Sequence, residues 1–176
     1  MQFKSLAVFV AAAALAGNAQ SDDFDKFQDV VDGWSTGTWQ EVSIVRRNEN
    51  GAWEFRETED YSVTKLSDYS IMIPPAPNDE PAFSVEFSDS MMTTTFFDAD
   101  GKAVSTSTGE IIRADIIDPR DWAFTVKWEG DENSMLISEG ILTGDTYTWS
   151  LFRTRLDDST RELLRRGIHI REAVSE

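Results

Sequence analysis

Few residue types in this chain could carry chemistry. Its 176 residues include no cysteine and a single histidine, His169. Disulfides, thiolate metal sites, cysteine nucleophiles and zinc sites built from several imidazoles are therefore excluded. Carboxylate sites for hard cations remain open in a chain with 32 acidic residues. Asp98-Ala99-Asp100-Gly101 carries part of a calcium-loop pattern, but with Gly101 at the loop's glycine position Phe96 falls where the first ligand belongs and Ser107 where the bidentate one belongs. A hairpin turn accounts for the Asp-Gly pair without a metal. Gly33-Trp34-Ser35-Thr36-Gly37 matches Gly-x-Ser-x-Gly. A nucleophile elbow needs a strand before it and a helix after it, and here the flanking patterns run in the opposite order, so Ser35 is expected in a turn into the first strand.

The basic residues come next. Arg153 continues the parity of Tyr147, Trp149 and Leu151, and Arg155 lies two residues further on. An arginine that ends an apolar inward face must meet an acid, solvent or a ligand anion, because burying it unpaired is costly. Glu57 and Glu59 continue the parity of Trp53 and Phe55 and are the candidate internal ion-pair partners. Arg161, Arg165 and Arg166, in a stretch with Glu162, read as a solvated helix face. His169 lies between Ile168 and Ile170, so inward isoleucines would turn the imidazole outward.

These side chains need elements to hold them. Met1 to Lys4 is a short basic start, Leu6 to Ala16 is apolar throughout, and Gly17-Asn18-Ala19 supplies small residues. This is the pattern of a secretory signal peptide, with cleavage expected after Ala19. The apolar run is short of the roughly 20 residues that span a bilayer, so a periplasmic or secreted protein, with no insertion in a membrane, is expected over residues 20–176 as one domain. The formal charge of −16 argues against nucleic acid and anionic lipid as partners.

Phe24, Phe27, Val30 and Val31 have helical spacing, and Gly33 offers a stop, which predicts a short helix over 23–32. Beyond it the period becomes two. Trp122, Phe124, Val126 and Trp128 alternate with Ala123, Thr125, Lys127 and Glu129, and Phe83, Val85 and Phe87 alternate with polar residues in the same way. Asp-Gly and Gly-Asp turn signals divide strands near 38–47, 52–66, 69–73, 82–88, 91–97, 103–117, 122–129, 134–142, 145–155 and 167–174. A proline-rich loop spans 74–81, and a short helix is expected over 157–166 around Leu163 and Leu164. The fold class is all-β, an antiparallel up-and-down barrel of about eight to ten strands with a short N-terminal helix. A two-sheet sandwich is the alternative.

A helix, then Gly37-Thr38-Trp39 opening the first strand, then hairpins to the C-terminus resembles the calycin superfamily, lipocalin-like and fatty-acid-binding-protein-like, and within it exported bacterial domains of unknown function. No lipocalin Thr-Asp-Tyr motif is found between the later strands, which directs the resemblance to the wider superfamily. The resemblance implies that Trp39 closes the barrel base with Arg171 packed across it. It implies an inner cavity, and for Arg153 and Arg155 the part of the arginines with which fatty-acid-binding proteins hold a head group. It further implies two alternatives: haem held by His169, or lyase or isomerase chemistry drawing on Tyr61, Tyr147, Glu57 and Arg153.

The function expected is therefore an exported binder of a small apolar or amphipathic molecule, with no cofactor and more in keeping with a non-enzyme. Its candidate ligand-binding residues are Trp53, Phe55, Phe83, Phe87, Phe124, Trp128, Tyr147, Trp149, Arg153 and Arg155. A dry-cored structural or interaction module, acting through its acidic outer face or the proline-rich loop, is the alternative of a different class.

Overall fold

Phe27, Val30, Val31 and Trp34 recur at the spacing that places them on one helical face, and all four are buried. A computed structural model describes residues 24–47, 51–56, 60–75 and 81–172. The expected leader, Glu57, Glu59 and the centre of the proline-rich loop lie outside the described residues. Helix α1 (Phe27–Ser35) starts and ends later than the sequence predicts. Gly33 does not stop it; instead the helix ends where the hydroxyl of Ser35 donates to the carbonyl of Val31 at 2.8 Å and that of Thr36 to Asp32 at 2.6 Å.

Twelve strands follow: β1 (Thr38–Arg47), β2 (Trp53–Arg56), β3 (Asp60–Ser62), β4 (Thr64–Ser67), β5 (Ser70–Ile73), β6 (Phe83–Ser88), β7 (Met91–Phe97), β8 (Ala103–Asp118), β9 (Asp121–Glu129), β10 (Ser134–Thr143), β11 (Thr146–Arg155) and β12 (Arg161–Arg171). All belong to one antiparallel sheet, not to the two of a sandwich. From β4 to β12 each strand pairs with its successor, and β12 then pairs with β1. The helix expected over 157–166 is absent: a turn occupies the start of that stretch, and β12 begins at Arg161. The adjacent Leu163 and Leu164 reflect a register shift against β11, where Leu151 faces Arg165 but Phe152 faces Leu163. Such a bulge breaks the period of two on which a strand is recognised.

The sheet is not closed. β2 and β3 hold one register with β1, Ile44 lying opposite Arg56 and Gln40 opposite Asp60. Only Val63 separates β3 from β4, and β4 pairs with β5 on the other side. The two ends of the sheet thus meet at a corner of the chain rather than along hydrogen bonds, giving a barrel-like ring with a seam.

Helix α1 seals one end of this ring. Phe27 stacks on Phe87 at 4.8 Å between centroids, and Trp34 meets Tyr147 at 4.9 Å and Trp122 at 5.6 Å edge-on. Lys65 ties the helix to the β4–β5 hairpin through Asp32 at 2.7 Å, and Gln28 donates to the Tyr69 hydroxyl at 2.7 Å. Trp39, fully buried, donates from Nε1 to the Trp34 carbonyl at 2.8 Å. Arg171 lies across the Trp39 ring at 4.7 Å, and its Nη2 donates to the Gly33 carbonyl at 2.7 Å. Trp39 and Arg171 face each other directly on β1 and β12.

Candidate functional site

Above this sealed base the inner faces of the strands enclose a cavity of about 1440 Å³. Its walls carry Ile73, Phe83, Val85, Met92, Phe96, Phe124, Trp128, Leu136 and Leu151, and Pro74, Pro75 and Pro81 stand at its edge. The period of two explains why these residues converge, clearest where Val85 lies between Ser84 and Glu86 and Trp128 between Lys127 and Glu129. Trp128 keeps its indole N–H satisfied by donating to Ser138 Oγ at 2.9 Å.

Glu41, Tyr61, Tyr147 and His169 gather on the wall formed by β3, β1, β12 and β11, while Thr94, Thr106, Ser107, Thr108, Glu129, Ser138 and Glu139 line the cavity from β7 to β10. His169 lies between Glu41 on β1 and Tyr147 on β11, its cross-strand neighbours. The imidazole is buried and faces inward, which corrects the outward orientation expected from the flanking isoleucines; Ile170 is the exposed one. Arg171 holds the clue to the phase: it stands two residues from His169, so a strand that lays Arg171 on Trp39 must also turn His169 inward.

Both imidazole nitrogens are engaged. Trp149 Nε1 donates to His169 Nε2 at 2.9 Å, and His169 Nδ1 is 2.9 Å from the Tyr61 hydroxyl. An indole N–H can only donate, so Nε2 must be the unprotonated nitrogen and Nδ1 carries the hydrogen. Glu41 Oε1 is 3.6 Å from Nε2, beyond hydrogen-bonding distance, and a charged imidazole would lose the Trp149 bond. Burial, with help from the Arg165 charge, brings the His169 pKa down to about 3, in agreement with a neutral ring. A haem iron would have to displace one of these partners, so the arrangement present does not fit His169 as a haem ligand.

The neutral ring has a measurable consequence. In the unfolded chain His169 titrates near its ordinary value of 6.5, whereas in the fold it resists protonation until about pH 3. Between those limits the unfolded state binds the extra proton, so this contribution to stability is present above pH 6.5 and is lost as the pH falls toward 3. The loss is expected at up to about 1.4 kcal/mol per pH unit. Comparing urea unfolding of the wild type and His169→Gln between pH 7 and 5 isolates it from the carboxylates; a stability difference independent of pH would contradict the neutral buried ring.

Gly167, opposite Trp149 on the neighbouring strand, makes room for this contact. A Cβ there would run into Trp149 Nε1 and come within 2.9 Å of His169 Nε2. Tyr61 also lines the cavity, and burial, then the Glu41 charge, push its phenol pKa far above the usual range, so it stays protonated. Burial raises Tyr147 likewise, with Tyr61 second.

Of the residues singled out from sequence, Phe83, Phe124, Trp128, Tyr147 and Trp149 line the cavity. Phe87 does not; it is core, packed between Phe27 and Phe124. Trp53, Arg153 and Arg155 are corrected as well. They border a separate, shallower groove of about 510 Å³ with Asp158, Thr160, Arg161, Glu162 and Leu163. Arg153 does keep the parity of Tyr147 and Trp149, but it lies past the bulge beyond Leu151, where it faces Glu162. The Phe55 side chain lies outside the described residues. The arginines of the main cavity are Arg46 and Arg165, directly opposite each other on β1 and β12. Arg46 pairs with Glu54 at 3.3 Å, and Arg165 lies 5.0 Å over the Trp149 ring. Sequence reasoning missed Arg46 because the bulge of β1 sets it out of phase with Trp39, and Arg165 because its stretch reads as a helix; Glu41 keeps the phase of Trp39 and could have been found from it. Ser35 serves the helix end, and Asp98 accepts from the backbone N–H groups of Asp100 and Lys102, so each of those motifs has a structural role.

Fold and site together define an antiparallel, barrel-like sheet, sealed at one end by a helix, around a cavity of mixed apolar and polar lining in which Tyr61, His169 and Trp149 form one hydrogen-bonded cluster. No protein-family model matches the chain, and no curated protein matches it significantly in sequence.

Proposed function

We propose that the chain is an exported, periplasmic or secreted, binding protein that holds one small apolar or amphipathic molecule inside the sheet, and that it belongs to the calycin superfamily. The observation that carries this reading is the cavity of about 1440 Å³, large enough for a small molecule and more apolar than polar in its lining. A dry-cored module has a cavity of this size against it. The packing of Arg171 on Trp39 and the helix at the base support the superfamily. Arg46 and Arg165, rather than Arg153 and Arg155, are the arginines that border this cavity.

Native mass spectrometry of the purified protein beside an organic extract of the same sample is expected to reveal a removable adduct. A hydrophobic fluorophore such as 1-anilinonaphthalene-8-sulfonate at 100 times its Kd should stabilise the fold by about 2.7 kcal/mol through mass action. Phe124→Asp, which places a carboxylate in the apolar wall, should weaken the fluorophore by more than about tenfold. Absence of any adduct together with absence of protection would overturn the reading.

A further inference from the structure

The hydrogen-bond chain at the cavity wall has a direction. Trp149 donates to His169 Nε2, and the hydrogen on Nδ1 is then donated to the Tyr61 oxygen. With its oxygen accepting from His169, the Tyr61 hydroxyl must turn its own hydrogen elsewhere, and Tyr61 lines the cavity. Gly167 leaves the space in which the Trp149 and His169 groups meet, and the tyrosine ring is set edge-on to the imidazole at 5.6 Å between centroids. The result is a fixed donor, not a hydroxyl free to choose its role.

The charge beside it narrows what can be received. Glu41 is buried on the neighbouring strand and acts electrostatically on the Tyr61 phenol, so a second carboxylate at the same place would be repelled. Asp60 and Glu139 also border the cavity. A neutral oxygen that only accepts hydrogen bonds suffers no such repulsion.

We propose that the Tyr61 hydroxyl, aimed by the Trp149–His169 relay, is a recognition site for the neutral carbonyl oxygen of an otherwise apolar ligand. This rests on the reading of the cavity as a small-molecule site and names its ligand class. Tyr61 is the contacting residue, while His169 and Trp149 position its hydrogen.

The test uses two probes of nearly the same shape, 2-acetylnaphthalene and 2-isopropenylnaphthalene, which differ in a carbonyl oxygen against a methylene group. Their Kd values are measured on the purified protein by titration calorimetry, and the ratio of the two is the readout. Tyr61→Phe is expected to shift that ratio about tenfold against the ketone while leaving the hydrocarbon's Kd nearly unchanged. Trp149→Phe frees Nε2 to take the hydrogen, which lets Nδ1 accept from Tyr61 and turns the hydroxyl away from the ligand. Its ratio should shift in the same direction, whatever the change in absolute affinity from the altered wall.

If both probes bind and Tyr61→Phe leaves their ratio unchanged, the recognition site is refuted while the cavity function stands. If 2-naphthoate binds more tightly than the ketone and is the probe weakened by Tyr61→Phe, the assignment to neutral carbonyls is overturned. If neither naphthalene nor the anionic fluorophore binds, the cavity function fails and this inference with it.

Discussion

Trp39→Ala is expected to lower the unfolding free energy by about 3–5 kcal/mol, read as a shift of the urea midpoint at constant slope. The ring is completely buried, so truncation opens a cavity that its neighbours cannot readily fill. Two directional contacts go with it: the indole N–H donated to Trp34 and the face on which Arg171 lies. Arg171 would remain buried beside the void, tied to Gly33 and with Asp145 only at 3.9 Å. Trp39→Phe keeps most of the ring and loses the hydrogen bond, so about 1–2 kcal/mol is expected from it. A loss below about 1 kcal/mol for the alanine variant would show that the base of the sheet is loosely packed and that α1 does not seal it.

Gly33→Ala is expected to act with a sign opposite to helix propensity. Inside a helix, alanine in place of glycine ordinarily stabilises by up to about 1 kcal/mol. Here a Cβ would be driven into the Pro119 carbonyl oxygen and would sit 2.9 Å from Trp122 Nε1. The obstructing atom is backbone in the β8–β9 turn, so either the helix or that turn must shift. The Gly33 carbonyl, which receives Arg171, moves with the helix. A destabilisation of about 2–3 kcal/mol follows from overpacking, measured by thermal or urea unfolding. A stabilised Gly33→Ala variant would mean that α1 rests less closely on the sheet than the structure has it.

The sequence was most informative where the period of two ran undisturbed between turns. The spans 122–129 and 82–88 fall within one residue of β9 and β6, where apolar and polar residues alternate and the strand carries no bulge. The spacing of Phe27, Val30 and Val31 revealed a helix but not its end, since Trp34 extends the same buried face past Gly33. Bulges hid the rest. One extra residue in β12 made Leu163 and Leu164 look helical, and another in β1, between Glu41 and Ser43, concealed that Arg46 turns inward. Within the single stretch 52–66, β3 and β4 part at Val63, a break that composition does not signal because it reflects a change of pairing partner.

In the site, aromatic alternation was legible and polar phase was not. Phe83, Phe124, Trp128, Tyr147 and Trp149 stand in runs long enough to show their face. Arg153 extends such a run beyond the cavity, where parity no longer determines surroundings. His169 was misplaced by taking the isoleucines beside it as core, although apolar residues are common on protein surfaces and an inward Arg171 demands the reverse phase.

The pairing of β1 with β12 has a consequence for how the molecule is assembled. From β4 onward the strands join their successors, contacts that a growing chain can make as soon as a hairpin has emerged. The junction of β1 with β12 instead unites Thr38–Arg47 with Arg161–Arg171, across nearly the whole domain. Loop-closure entropy delays such a contact, and chains dominated by distant contacts fold slowly. Trp39, Glu41 and Tyr61, all from the N-terminal half of the chain, therefore wait for Arg171 and His169. Until the C-terminal strand is available, neither the base nor the contact of Tyr61 with His169 exists, so both mark the end of folding and not its beginning.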